Sequence, residues 1–271
     1  MTLIQSPADV FAAVQKVKAG ASAFCTNFFP VESKLQGWIA RQELSVEPAA
    51  GAVFIFRNDR DFRHLYFCAA NPGALEQGMA ALPDLKTMRL ATDLVGKDST
   101  LDPLLAALEK NGFRRHLRLQ RLARIDRPET AGNGPAAGFA EKADCPAILE
   151  LIESSFDRYG EQLPLPYEME AAIAGRQALT VKRDDELAGM LFFETQGKAS
   201  TVRFWAVAEK FRARGVGSAL MHQYFQIHAA VKRFTLWVDA RNENAIQKYR
   251  HYGYAPDGLI DHVLVNEMIP A

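Results

Sequence analysis

The chain has 271 residues, with 32 Lys+Arg against 32 Asp+Glu, 48% hydrophobic and 24% charged side chains. That composition excludes a disordered or fibrous chain and gives no bulk attraction to nucleic acid or anionic membrane. At roughly 100–200 residues per domain, the length predicts two domains.

In chain order, apolar spacing predicts a helix over Ala8 to Val17. A hairpin follows, Ala52 to Arg57 and His64 to Ala70, turning at Asn58-Asp59. A strand at Met88 to Leu94, a helix at Leu101 to Asn111 and a strand at Leu117 to Arg124 complete the first half. Pro, Gly and small residues crowd Asp126 to Gly138, where periodicity stops. That is linker chemistry, and it predicts domains at 1–125 and 138–271 joined by 126–137. The second half opens with helices at Cys145 to Ser155 and Tyr167 to Ala174. Strands are expected at Ala178 to Lys182, Ala188 to Thr195 and Ser200 to Val207, then a helix at Gly217 to Ala230. A strand at Phe234 to Val238, a helix at Asn244 to Tyr252 and a strand at His262 to Met268 end the chain. Alternating strands and helices define an α/β (α+β) class with a mixed sheet. Both halves contain a helix end, a glycine and an aromatic entering a strand: Leu108 to Phe113 and Tyr249 to Tyr254. This reads as a diverged duplication, or as two unrelated α/β halves sharing a cap pattern.

Charge divides unevenly: residues 1–137 hold 17 basic and 14 acidic side chains, and residues 138–271 hold 15 and 18. No basic-then-apolar leader opens the sequence, and the longest apolar runs fall far short of the ~20 residues of a membrane span. The three cysteines, Cys25, Cys68 and Cys145, lack metal or redox spacing. They predict reduced thiols in a cytoplasmic protein with no metal site.

The informative stretch runs from Phe204 to Leu220. A strand ends at Val207, a basic loop carries Arg212 and Arg214, and Gly215 and Gly217 bracket Val216 at the start of an amphipathic helix. Unpaired N–H groups at a helix N-terminus, approached closely through glycine, form a diphosphate cradle. A P-loop fails for want of Gly-Lys-Ser/Thr. A Rossmann fingerprint fails because Leu220 holds the third small position.

Here the sequence resembles the GNAT (Gcn5-related) N-acetyltransferases. Their acyl-CoA motif, Arg/Gln-x-x-Gly-x-Gly/Ala, corresponds to Arg212-Ala-Arg-Gly215-Val-Gly217. Their second signature, Asn-x-x-Ala-Ile-x-x-Tyr followed by Gly and an aromatic, corresponds to Asn242 through Tyr249 and then Gly253-Tyr254. The resemblance covers residues 138–271 by motif and residues 1–137 only by topology, as a degenerate GNAT-like domain. It implies acetyl-CoA or another acyl-CoA as co-substrate. The backbone of Trp205, Ala206 and Val207 would pair with pantetheine and polarise the thioester. N–H groups of Arg212, Ala213, Arg214, Gly215, Val216, Gly217 and Ser218 would hold the pyrophosphate. Asn242 would contact the pantetheine side, or serve as a plain N-cap. Tyr249 would protonate the leaving thiolate, or be a core aromatic.

The pattern departs from the family at the general base, because Ser200 to Val207 contains no carboxylate. Glu194 and Asp239 are the candidates, with a water chain or an already neutral amine as alternatives. Glu150, Glu153, Asp157, Glu161, Glu168 and Glu170, against Arg158 alone, form an acidic lobe that attracts an amine or is simply a wet helix face. Phe156 and Tyr159 line the acceptor pocket or belong to the core. Arg114 to Arg124 reads as a charged edge strand, or as a phosphate- or RNA-binding stripe. The expected partner is a small-molecule or peptide amine, without nucleic acid or membrane, for a monomer or homodimer. Two further readings stay open: an acyl-CoA-binding regulatory module without turnover, and an acyltransferase using aminoacyl-tRNA.

Overall fold

The computed structural model describes residues 1–82, 85–125 and 136–270. Of the expected linker, only Ala136 and Ala137 fall among the described residues. Contacts divide the chain into two compact units, Met1–Leu119 with Gly258–Ala271, and Gln120–Asp257. The units therefore do not follow the cut expected at the linker. The last strand is assigned to the first unit, because it pairs there by backbone hydrogen bonds.

The first half of the chain forms β1 (Thr2–Leu3), α1 (Pro7–Ala19), β2 (Cys25–Thr26), α2 (Glu32–Ala40), β3 (Leu44–Ala49), β4 (Ala52–Asp59), β5 (Phe62–Ala69), α3 (Pro72–Ala80), β6 (Leu90–Gly96), α4 (Asp98–Lys110) and β7 (Phe113–Ile125). The second half forms β8 (Gly138–Phe139), α5 (Cys145–Ser155), α6 (Pro166–Ala174), β9 (Ala178–Arg183), β10 (Glu186–Gln196), β11 (Ala199–Val207), α7 (Val216–Ile227), β12 (Arg233–Asp239), α8 (Glu243–His251) and β13 (Ala255–Asn266). The class is the expected α/β mixed sheet. Sequence periodicity missed α2, α3 and β3. The first two are short helices, and β3 carries Pro48, which demotes a strand reading.

In the first unit the strand order is β1-β3-β4-β5-β6-β13, antiparallel except for the parallel pair β5/β6. Alternation sends Phe54, Phe56, Leu65 and Phe67 to the core with α3 and α4, and Val53, Ile55 and Tyr66 to the core with α1 and α2. In the second unit the order is β12-β11-β10-β9-β8, antiparallel except for the parallel pair β11/β12. One face packs Leu220, Tyr224 and Phe225 of α7 and Ile246 and Tyr249 of α8. The other packs Ile148 and Ile152 of α5 and Met169 and Ile173 of α6. The repeated helix end is real in backbone geometry: Gly112 and Gly253 both take left-handed φ, +83° and +81°, just past α4 and α8.

The arginines of β7 are partnered inside their own units, which argues against a phosphate-binding stripe. Arg114 donates to the Ile269 and Pro270 carbonyls, Arg115 pairs with Glu109, and Arg118 pairs with Asp98. Arg121 pairs with Asp257, and buried Arg124 donates to the Tyr252 carbonyl while lying 4.1 Å over the Phe225 ring. Leu117, Leu119 and Leu122 of the same strand are buried.

Candidate active site

The site is built where β11 parts from β12. The two parallel strands pair only from Ala199↔Arg233 to Val202↔Leu236, although β11 continues to Val207 and β12 to Asp239. At that point β11 carries an extra residue. Against β10, Val202 pairs with Phe193 and Phe204 with Phe192, so Arg203 is a β-bulge. A bulge kinks and twists its strand and re-aims the side chains beyond it. Before it, Val202 faces the α7 core; after it, Phe204 and Ala206 face the α5/α6 core. The backbone of Arg203 to Val207 is thereby left beside an opening rather than beside β12.

Below the opening the loop takes the expected path. A 3-10 turn at Glu209–Phe211 leads to Arg212, whose guanidinium lies 4.0 Å from Glu209, and Arg214 stands 6.0 Å over the Phe211 ring. Ala213 and Gly215 both take left-handed φ, +59° and +77°. For alanine that conformation costs about 1–2 kcal/mol, and such strain concentrates at ligand clamps. Gly215 is the N-cap of α7, and no side chain caps the helix. The N–H groups of Val216, Gly217 and Ser218 thus begin α7 without a side-chain acceptor, where the helix dipole favours an anion. A Cβ on Gly217 would lie 3.0 Å from the Trp205 ring and 3.5 Å from Val207 Cγ2. Glycine is what lets this turn seat so close to β11.

Trp205 leans against the C-terminal end of α8, its ring 5.5 Å from Tyr249 and 6.0 Å from Tyr252. Its indole Nε1 is buried without a hydrogen-bond partner among the described residues. A buried unpaired donor is costly unless a ligand supplies the acceptor. The uncapped helix start and this orphaned donor fit an extended, amide-bearing diphosphate ligand. Asn242 caps α8, accepting 3.0 Å from the Ala245 N–H, so its plain capping role is in place.

The opposite wall brings together residues distant in sequence. Tyr249 is buried, and burial first, then the Glu161 carboxylate, hold its phenol above the ordinary value. Glu161 itself is pushed up to about 8, chiefly by burial, with Asp157 and Asp239 adding repulsion and Arg203 opposing. The loop that presents it is locked. Asp157 Oδ1 accepts from the Tyr159 and Gly160 N–H groups at 3.0 and 2.7 Å, and the Glu161 N–H donates to the Asp157 carbonyl at 3.2 Å. Burial would raise Asp239, but hydrogen bonds from Arg241, at 2.9 Å from Nη2 to Oδ2, hold it below the usual carboxylate range. Glu194 lies on β10 opposite Thr201, and its carbonyl accepts from Ser200 Oγ. Phe156 packs edge-on to Phe204 at 5.0 Å, a core contact, and Tyr159 lies under Arg158 at 5.2 Å. Sequence reasoning counted Glu161 among six acidic residues without singling it out; its only local signal was the turn-forming Asp157 before Tyr159-Gly160.

In this α/β domain a strand leaves its parallel neighbour at a bulge, beside a helix start that no side chain caps. Residues 145–254 match the profile of the acetyltransferase (GNAT) family, and this stretch is a GNAT domain. The structure is similar to a GCN5-related N-acetyltransferase from Sphaerobacter thermophilus (TM-score 0.65, 17% identity, 100% of this chain and 96% of that one). It is also similar to one from Kribbella flavida (0.56, 15%, 94% and 95%). A tandem GNAT protein from the clavulanic acid biosynthesis pathway matches with a TM-score of 0.63 at 12% identity, over 100% of this chain and 98% of that one. Curated proteins contain no match. The chain thus has a tandem GNAT-like fold, and its N-terminal half resembles a GNAT-like domain. The family's chemistry is acyl transfer from acyl-CoA to an acceptor. No helix among the described residues is long and apolar enough to cross a membrane.

Proposed function

We propose that the second unit transfers an acyl group, acetyl in the first instance, from acyl-CoA to the amine of a small molecule or peptide. The observation that carries this is the parting of β11 from β12 at the Arg203 bulge, directly above the uncapped start of α7. Pantetheine adds to the free edge of Trp205, Ala206 and Val207 as an extra strand, and the pyrophosphate rests on the Arg212–Ser218 turn. A backbone N–H at the opened edge polarises the thioester carbonyl. The amine nitrogen attacks the carbonyl carbon; the C–N bond forms and the C–S bond breaks. The proton lost by the amine goes to a carboxylate, and the departing thiolate takes a proton from the Tyr249 hydroxyl. Burial keeps Tyr249 protonated, as an acid requires.

Of the carboxylates, Glu161 suits the base. A pKa near 8 gives it proton affinity that Asp239, held ionised by Arg241, lacks. Glu194 remains the alternative on β10. Transfer is direct, in a ternary complex: the second unit's one cysteine, Cys145, is buried in the α5/α6 core. The carboxylate-free β11 favours a second reading, an acyl-CoA-binding protein without turnover.

Thiol release from acetyl-CoA, measured with a panel of mono-, di- and polyamines and N-terminal peptides, tests the assignment. Tyr249→Phe should lower turnover by about 10²–10⁴-fold while CoA affinity changes little. Unchanged turnover in that variant would make Tyr249 a core aromatic. Binding without turnover of any amine would support the second reading.

A further inference from the structure

The first unit repeats the geometry of the donor site and then fills it. Its parallel pair, β5 and β6, is joined only at Arg63↔Leu90 and His64↔Ala91, although β5 runs on to Ala69 and β6 to Gly96. The strands part as β11 and β12 do. In this unit the gap is occupied by the chain itself. β2 pairs antiparallel with the freed edge of β5, Cys25 with Ala69 and Thr26 with Cys68. Asn27 then bridges the two parted strands. Its N–H donates to the Phe67 carbonyl at 3.3 Å, and its Oδ1 accepts from the Phe67 N–H at 2.7 Å. Its Nδ2 donates to the Leu65 carbonyl at 3.3 Å on β5, and to Thr92 Oγ1 and the Asp93 carbonyl, both at 3.0 Å, on β6. Asn27 is buried. An extended segment ending in a side-chain amide, bonded along a strand edge, makes the contacts that an amide-bearing ligand arm would make there.

The turn below the gap is shorter and offers fewer donors as well. In the second unit residues 208–214 separate β11 from the N-cap of α7; in the first, only Ala70 separates β5 from the N-cap of α3, Asn71. Position one of α3 is Pro72, which has no N–H, and the Ala74 N–H is taken by the Asn71 side chain at 2.9 Å. The Ala70 N–H itself donates to the Gly51 carbonyl at 3.0 Å.

We propose that residues 25–27 are a built-in occupant of the first unit's donor cleft, so that each chain takes up a single acyl-CoA, in the second unit. The first unit then acts without a donor of its own, and it cannot be a second acyl-transfer centre.

The test uses the full chain with CoA as the probe, reading stoichiometry by calorimetry and backbone amide hydrogen exchange by NMR or mass spectrometry. One CoA per chain is expected, and none in Gly217→Glu. The Phe67 amide should be protected in ligand-free protein and unchanged by CoA, while amides of residues 203–207 gain protection on binding. Two CoA per chain, or a CoA-dependent change at residues 65–68, would overturn the proposal, whereas one CoA still bound by Gly217→Glu with residues 65–68 unchanged would count against the α7 seat and leave the occupant in place. If the wild-type protein binds no CoA, the acyl-CoA reading of the second unit falls. Exchange at Phe67 still decides the occupant in that case, and a rate near that of an unprotected amide refutes it.

Discussion

Gly217→Glu puts the donor loop under the sharpest test. The added Cβ would sit 3.0 Å from the Trp205 ring and 3.5 Å from Val207 Cγ2, an overpacking of the kind that costs about 1–3 kcal/mol. A carboxylate in the first turn of α7 returns about 0.3–1 kcal/mol through the helix dipole. The net loss of about 0–3 kcal/mol leaves the protein folded, with a Tm lower by about 2–4 °C per kcal/mol. The effect on binding is larger. A carboxylate about 4 Å from one phosphate charge repels it by about 4 kcal/mol at an effective dielectric constant near 20, which is about a thousandfold in Kd. Calorimetric titration with CoA, beside a thermal melt of the same preparation, separates the two effects. A folded Gly217→Glu protein that binds CoA within about threefold of wild type would show that no pyrophosphate rests on the start of α7. The reasoning from the uncapped helix would then be wrong.

Two other outcomes are expected from the geometry. Glu161 has a folded pKa raised to about 8 by burial, well above the ~4.3 of an unfolded glutamate. The folded state therefore holds the proton longer, and this group's contribution to stability falls as pH rises from about 4.3 to 8 and levels off above. Thermal melts across that range should show a slope that Glu161→Gln lacks, and amine turnover should rise to a plateau above pH 8 in wild type alone; identical pH profiles would remove Glu161 from the base role. Asn27→Ala strips the bonds to Leu65, Phe67, Thr92 and Asp93. Unpaired buried groups cost about 1–3 kcal/mol each, and water entering the gap offsets part, so chemical denaturation should show a loss of about 2–4 kcal/mol. A loss below 1 kcal/mol would mean that the bridge does not hold β5 and β6.

Much of this molecule was legible in one dimension because its signals are local. The helix periodicity of α5, α7 and α8, the strand-glycine-helix passage from Val207 to Gly217, and the Asn242-to-Tyr249 spacing all lie within a few turns of chain. Gly215 and Gly253 could be read as left-handed positions because a Cβ would penalise that φ wherever the chain went. What depends on pairing between distant segments was invisible. Arg203 is a bulge only by its register against β10. Glu161 raises the Tyr249 phenol only because the fold brings a loop 88 positions earlier in the chain beside it. Residues 258–271 belong with the first unit because their backbone groups pair with β6, a choice that no side-chain pattern in β13 encodes. Asn27 carries no motif at all. Its meaning comes from two strands that part around it: residue types and their order set the local motifs, and long-range hydrogen bonding alone decided that Asn27 fills the gap between β5 and β6.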